Sequence, residues 1–141
     1  MSESSRQAQL RARVVELARA QDPYAHIYAG KEFRRDYVAG RTMVWSELFK
    51  DMRDTTIGVL ETGSKEGRSA LFWLEFFANA HLTCVDLFPA EDGGRFDRNL
   101  AGYGPRLRKI AGTSIKALGL LREENAVFDF IYVDGSHSAT T

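Results

Sequence analysis

The sequence has one cysteine, three prolines, no net charge and no long apolar run. A lone cysteine, Cys84, excludes an intrachain disulfide and a cysteine-built zinc site, and gives no reason to expect an oxidising compartment. The 19 basic and 19 acidic side chains cancel, and neither sign is massed in one half. That removes the clustered Lys and Arg by which nucleic acids and anionic membrane surfaces are held. No stretch approaches the roughly 20 apolar residues of a membrane span, and the opening MSESSRQAQLRARVVELARA lacks the apolar core of a signal peptide. The expectation is a cytoplasmic protein without nucleic-acid or membrane partners, of 141 residues and therefore at most one ordinary domain.

What is present falls into two parts. Residues 1–55 read as a helical and loop extension. Within residues 5–20, Leu10, Val14, Leu17 and Ala18 recur at helical spacing. The segment QDPYAHIYAGKEF breaks at Pro23 and Gly30 and reads as a loop packed by its aromatics, leaving 33–38 open between types. Tyr24, Tyr28 and Phe33 there are candidates to close over a ligand. A second helix is predicted from Thr42, as N-cap, to Met52.

Residues 56–141 alternate short apolar runs with amphipathic ones. Strands are predicted at 57–63, 81–88, 107–114 and 128–137, and helices at 67–80, 96–104 and 115–125. The order β-α-β-α-β-α-β is that of right-handed crossovers, which gives an α/β, Rossmann-like, doubly wound parallel sheet. HLTCVD and FIYVD are nearly continuous apolar runs, as expected of strands buried on both faces. Phe72, Trp73, Phe76 and Phe77 sit at core spacing on the first helix of this part. Cys84 lies mid-strand, and His26 and His81 read as packed or surface residues.

Chemistry concentrates at strand ends, since ligands of doubly wound sheets bind where loops leave the carboxyl ends of strands and helix N-termini offer free N–H groups. The first such junction is Glu61-Thr62-Gly63-Ser64-Lys65-Glu66-Gly67-Arg68-Ser69. A dinucleotide fingerprint requires a second glycine two positions after Gly63. Lys65 stands there, which disfavours NAD, and the spacing to Gly67 also fails that of a phosphate loop. A tight turn without a ligand remains an alternative for this junction. The second strand ends in Asp86, about 20 residues on, where a carboxylate can accept both hydroxyls of a ribose. The fourth junction, Asp134-Gly135-Ser136-His137-Ser138, offers an oxygen and a nitrogen to a divalent metal, or His137 as a general base, or simply a turn. Two ligands do not make a metal site, so a divalent metal is possible but not supported. No Gly-x-Ser-x-Gly surrounds Ser136 or Ser138, which removes a serine hydrolase of that kind.

Taken together, residues 30–33, 59–77, 81–88, 96–114 and 128–137 resemble the class I S-adenosylmethionine-dependent methyltransferases, in particular bacterial small-molecule O-methyltransferases. The resemblance spans about residues 30–138. It implies the strand order 3-2-1-4 and S-adenosyl-L-methionine as cofactor. It implies that the loop of Glu61, Gly63, Ser64, Gly67 and Ser69 holds the methionine part. Asp86 would hold the ribose, Thr113 and Ser114 the adenine, and Asp134 the region of the sulfonium and methyl group. Asp134 from this resemblance and His137 from the reading of its junction are the candidate catalytic residues, and a small-molecule or sugar-containing acceptor is the implied partner.

The chain departs from the family's pattern at Thr62, where an aliphatic residue is usual, and at Thr113, where an aspartate commonly meets the adenine. The family's fifth strand and final hairpin are absent from the sequence. The expectation is therefore an incomplete sheet with an exposed fourth strand and self-association through residues 128–134. Alternatives are a non-catalytic nucleoside- or S-adenosylmethionine-binding fragment and, further off, an NAD-linked oxidoreductase. Valine at Gly63 is expected to remove binding more than folding, by blocking the approach of a ligand.

Overall fold

A computed structural model describes residues 2–135, apart from the Arg19 side chain. The elements are α1 (Glu3–Gln21), a 3-10 turn (Ala25–Tyr28), α2 (Arg41–Leu48), β1 (Gly58–Thr62), α3 (Arg68–Phe76) and β2 (His81–Asp86). There follow α4 (Ala90–Asn99), β3 (Leu107–Ala111), α5 (Ser114–Glu123) and β4 (Phe130–Val133). All pairings are parallel and the order is β3-β2-β1-β4, as expected, with helices on both faces. The chain winds outward from β1 through β2 to β3 and then returns to the other side of β1. The junction of β1 and β4 is thus the topological switch point, where a crevice opens at the strand ends.

Burial explains the order. Val59, Leu60, Leu82, Cys84 and Val85 are 0–2% exposed, so β1 and β2 are covered on both faces and lie in the middle. One face carries the larger core, in which Leu71, Phe72, Trp73, Leu74 and Phe76 of α3 meet Phe96 and Leu100 from α4 and its C-cap. α3 is buried almost all round because it is sandwiched between the sheet and the N-terminal segment. Tyr24 packs edge-on to Phe72 and Phe76, and Trp45 lies 4.5 Å from Trp73. The other face is covered only by α5, whose Ala117 and Leu121 meet Leu60 and Val85.

Four expectations need correction. The helix predicted at 96–104 runs over Ala90–Asn99 instead. Thr42 caps nothing: α2 starts after Gly40, and the buried Thr42 hydroxyl donates to Asp22 Oδ2 at 2.6 Å, tying α2 to the end of α1. The apolar residues of α1 do not form a buried stripe, since Leu10, Val14 and Leu17 are all exposed. β4 is not buried on both faces either. Phe130 and Tyr132 turn towards Trp73, while Ile131 and Val133 are 54% and 73% exposed. Among the described residues no helix is long and apolar enough to cross a membrane.

Candidate functional site

The strand ends converge through backbone hydrogen bonds. Gly63 N–H donates to Val85 O at 2.8 Å, Asp134 N–H to Thr62 O at 2.9 Å, and Gly112 N–H to Asp86 O at 2.9 Å. Gly63, Asp86, the turn before Thr113 and Asp134 therefore share one rim of the sheet. Gly63 has φ +86, and a Cβ there would fall 2.2 Å from the Asp134 carbonyl oxygen. The space beside Gly63 is filled by the loop after β4, not left for a ligand. A side chain at 63 would strike the β1–β4 junction itself, so the expected separation of folding from binding at this position does not hold.

The loop after β1 is built around buried polar groups. Glu61 is fully buried, and its Oε2 accepts from Ser69 Oγ at 2.7 Å and from Trp73 Nε1 at 2.9 Å. Its Oε1 and the buried Ser64 Oγ make no hydrogen bond of good geometry among the described residues, although the Ser64 hydroxyl is close enough to act on the carboxyl. Such orphans are costly and are what a ligand's polar end would satisfy. Burial pushes the Glu61 carboxyl above the usual carboxylate range, against the pull of the Ser69, Ser64 and Trp73 donors. Folding thus favours its protonated form. The stability that this group contributes is complete below the ordinary value of 4.5 and is lost as pH rises through the raised one. Thermal melts of Glu61→Gln across pH should show the variant gaining on the wild type as pH rises above about 4.5, and parallel curves would contradict it.

Asp86, at the end of β2, is fixed from two sides. Its Oδ2 accepts from the Lys65 amide and its Oδ1 from the Phe88 amide, both at 2.9 Å. To give its amide to Asp86, Lys65 adopts φ +50, a conformation that costs a non-glycine residue about 1–2 kcal/mol. Each carboxylate oxygen retains acceptor capacity beyond its one amide. Thr113 is the N-cap of α5, its Oγ1 accepting from the Lys116 amide at 3.3 Å, and Thr113 and Ser114 are exposed beside the end of β2. Gly67, the left-handed N-cap residue of α3, packs against Leu100 and Phe96. The structure brings Glu61, Gly63, Ser64, Gly67, Ser69, Asp86, Thr113, Ser114 and Asp134 to one end of the sheet. His137 lies outside the described residues. Among the described residues no group of three His, Cys, Asp or Glu side chains could hold a metal ion.

The residues that sequence reasoning missed come from the N-terminal segment, which straps the loop down. Glu32 N–H donates to Asn99 Oδ1 at 2.8 Å, and Asn99 Nδ2 donates to Glu32 O and Glu66 O. The Arg34 amide donates to the Glu66 carboxylate, and the Arg34 guanidinium pairs with Glu91 and Asp92 on α4. Asp36 and Arg68 form an ion pair at 3.1 Å with little exposure of either side chain, and the Arg68 guanidinium lies over the Tyr28 and Phe33 rings. A cavity of about 140 Å³ results. It is lined by Arg34, Arg35, Tyr37 and Val38 of the strap, Gly63, Ser64, Lys65, Glu66, Arg68 and Ser69 of the loop, Asp92 and Asp134. The sequence signs of this strap were the resemblance at residues 30–33 and the aromatic residues before the Arg34-Arg35-Asp36 charge run, while its partners are more than 30 positions away.

Residues 60–141, more than half of the chain, match the family model described as a methyltransferase domain, and the chain belongs to that family. No curated protein matches it. Among solved structures it is similar to a SAM-dependent methyltransferase from Agrobacterium tumefaciens, at 23% identity and a TM-score of 0.57, over 72% of this chain and 34% of that one. It is also similar to the MycE methyltransferase of the mycinamycin biosynthetic pathway, solved with Mg, SAH and mycinamycin VI, at 25% identity and a TM-score of 0.52 over 69% of this chain and 25% of that one. An O-methyltransferase from Bacillus cereus, in complex with SAH, matches at 16% identity and a TM-score of 0.54, over 86% of this chain and 54% of that one. The chain thus spans between a quarter and about half the length of these structures, and the likenesses below 25% identity are likenesses of fold.

Proposed function

We propose that this chain binds S-adenosyl-L-methionine at the β1–β2 strand ends and serves an O-directed methyl transfer to a small-molecule or sugar-containing acceptor. The observation that carries the reading is Asp86, a carboxylate at the end of β2 that two backbone amides hold in place while leaving it acceptor capacity for a ribose. The buried Ser64 Oγ and Glu61 Oε1, which make no hydrogen bond of good geometry among the described residues, fit the polar amino-acid end of such a cofactor. The cavity at the loop is below the ~300 Å³ of a pocket for a whole small ligand, so it suits one end of an extended one, the remainder lying along the open rim past Asp86 to Thr113 and Ser114. The cofactor supplies an electrophilic methyl group on a sulfonium. The chain's part is to orient and to exclude water, since in-line transfer is accelerated mainly by positioning. Asp134 lines the cavity from the β4 side, where its charge opposes that of a sulfonium, and His137 is the general base for the acceptor hydroxyl.

Two substitutions separate these roles. Asp86→Asn is expected to weaken S-adenosylhomocysteine binding about tenfold or more, by removing the charge from its hydrogen bonds. His137→Ala should leave that affinity alone and lower turnover. Calorimetry and a methyl-transfer assay check the pair, and an unchanged affinity in Asp86→Asn would return that residue to a purely structural role.

The same reading includes self-association through β4. Among the described residues its outer edge has no strand partner, and Ile131 and Val133 stand exposed beside it. Sedimentation velocity should show concentration-dependent association that Val133→Lys reduces. A monomer at all concentrations would contradict it.

A further inference from the structure

We infer that Arg41 and Tyr132 hold a carboxylate of the methyl acceptor beside Asp134, so that the acceptor is a hydroxyl compound bearing a carboxylate, and a sugar acid where it is a sugar. The inference rests on the cofactor reading above. Two distant parts of the chain meet here. Side chains alternate along β4, so Phe130, Tyr132 and the following Asp134 share one face, and the Tyr132 phenol feels the negative charges of Asp134 and Glu61. On the strap side, Gly40 turns the chain at φ +80, and the Arg41 amide donates to the Val38 carbonyl oxygen at 2.9 Å. Val38 lines the loop cavity, as Asp134 does. Arg41 thus starts α2 beside that cavity, and its Nη1 reaches across to donate to the Tyr132 hydroxyl oxygen at 3.1 Å.

The pair is rich in donors. The Tyr132 oxygen accepts from Arg41, which leaves its own proton to give, and the guanidinium keeps further N–H groups beyond this one bond. Burial and the charge of Asp134 push the phenol above its ordinary value, so at neutral pH it is a donor and not a base. Trp45 packs edge-on against the Tyr132 ring, 5.3 Å between centres, and fixes where the hydroxyl stands. Among the described residues Arg41 forms no ion pair. With a sulfonium set against Asp134, the Arg41 guanidinium is the cation at this end that an acceptor can match. A planar fork of N–H groups beside a phenol proton suits a carboxylate, which only accepts. In-line transfer brings the acceptor to the methyl group near Asp134, so a carboxylate held here orients the reacting hydroxyl.

The test is calorimetric, on the whole chain saturated with S-adenosylhomocysteine, with D-glucuronate and D-glucose as probes. The two differ at one carbon, a carboxylate in the first and a hydroxymethyl group in the second. Glucuronate is expected to bind about fivefold more tightly than glucose, as partly exposed charge pairs do. Arg41→Gln should remove that preference and Arg41→Lys keep part of it, while Tyr132→Phe should weaken glucuronate about threefold. None of the three should change the affinity for S-adenosylhomocysteine more than about twofold. A contact that serves only to tie α2 to β4 would instead lower the melting temperature and treat both sugars alike. A wild-type chain that binds S-adenosylhomocysteine but neither sugar, or both sugars equally, overturns the carboxylate site and leaves the cofactor reading intact, as do variants that keep the full preference. A chain that does not bind S-adenosylhomocysteine overturns both.

Discussion

Replacing Gly63 by valine is expected to cost the chain its fold together with its ligand. The residue sits at φ +86, and a Cβ would lie 2.2 Å from the Asp134 carbonyl oxygen and 2.5 Å from the Gly135 amide nitrogen. Both are backbone atoms, so no side chain can swing aside. The left-handed conformation alone costs roughly 1–2 kcal/mol for an ordinary residue and more for a β-branched one, and overpacking adds about 1–3 kcal/mol. β4 can yield only by loosening its pairing with β1, where Thr62 O accepts the Asp134 amide. Denaturant titration should show a lower midpoint and calorimetry no binding of S-adenosylhomocysteine. A variant of wild-type stability would mean that the loop after β4 does not approach Gly63 as described.

Trp73→Ala is expected to have the other large effect, about 3–5 kcal/mol of a total that is commonly 5–15 kcal/mol. The Trp73 ring is 0% exposed and touches Trp45 from the N-terminal part, Phe77 after its own helix, and Phe130 and Tyr132 on β4. It therefore joins three segments. Its Nε1–H also satisfies one oxygen of the fully buried Glu61. Trp73→Phe keeps much of the packing while losing that donor and part of the ring, so it should cost about 1–3 kcal/mol. Equal losses in the two variants would show that the hydrogen bond, rather than the ring's volume, holds this centre together.

The legible part of the fold was the part whose forces are local. β1, α3 and β2 appear in the sequence because glycine at 63 and 67 brackets a turn and the runs on either side are continuously apolar, a pattern that only central strands and a covered helix require. α4 was misplaced because Gly93 and Gly94 weaken its helical signal. The structure gives Gly93 a reason that no local rule contains: a Cβ there would lie 3.1 Å from the Phe88 carbonyl oxygen, so the first turn of α4 needs a bare residue under the β2 loop. Thr42 shows the same limit, having the composition of a cap and the position of a long-range donor to Asp22.

At the site, Asp86 and the Gly63 loop could be read from spacing, because a strand end and a glycine turn fix where their groups point. The strap could not. Arg34, Asp36 and Asn99 matter through contacts with Glu66, Arg68 and Glu32, each far away in sequence, and a charge run alone does not tell a solvated loop from the wall of a cavity. Lys65 was legible only in part. Its side chain argued against a pyrophosphate, while the structure shows its amide holding Asp86 and its ammonium over Tyr37.

The most direct measurement is a calorimetric titration of the chain with S-adenosylhomocysteine and, separately, with NAD. A site with Asp86 at the ribose position and Lys65 in place of the pyrophosphate-facing glycine should bind S-adenosylhomocysteine the more tightly, with that affinity reduced in Asp86→Asn. Tighter binding of NAD, or an affinity for S-adenosylhomocysteine that Asp86→Asn leaves untouched, would contradict the assignment of this strand-end site to S-adenosylmethionine.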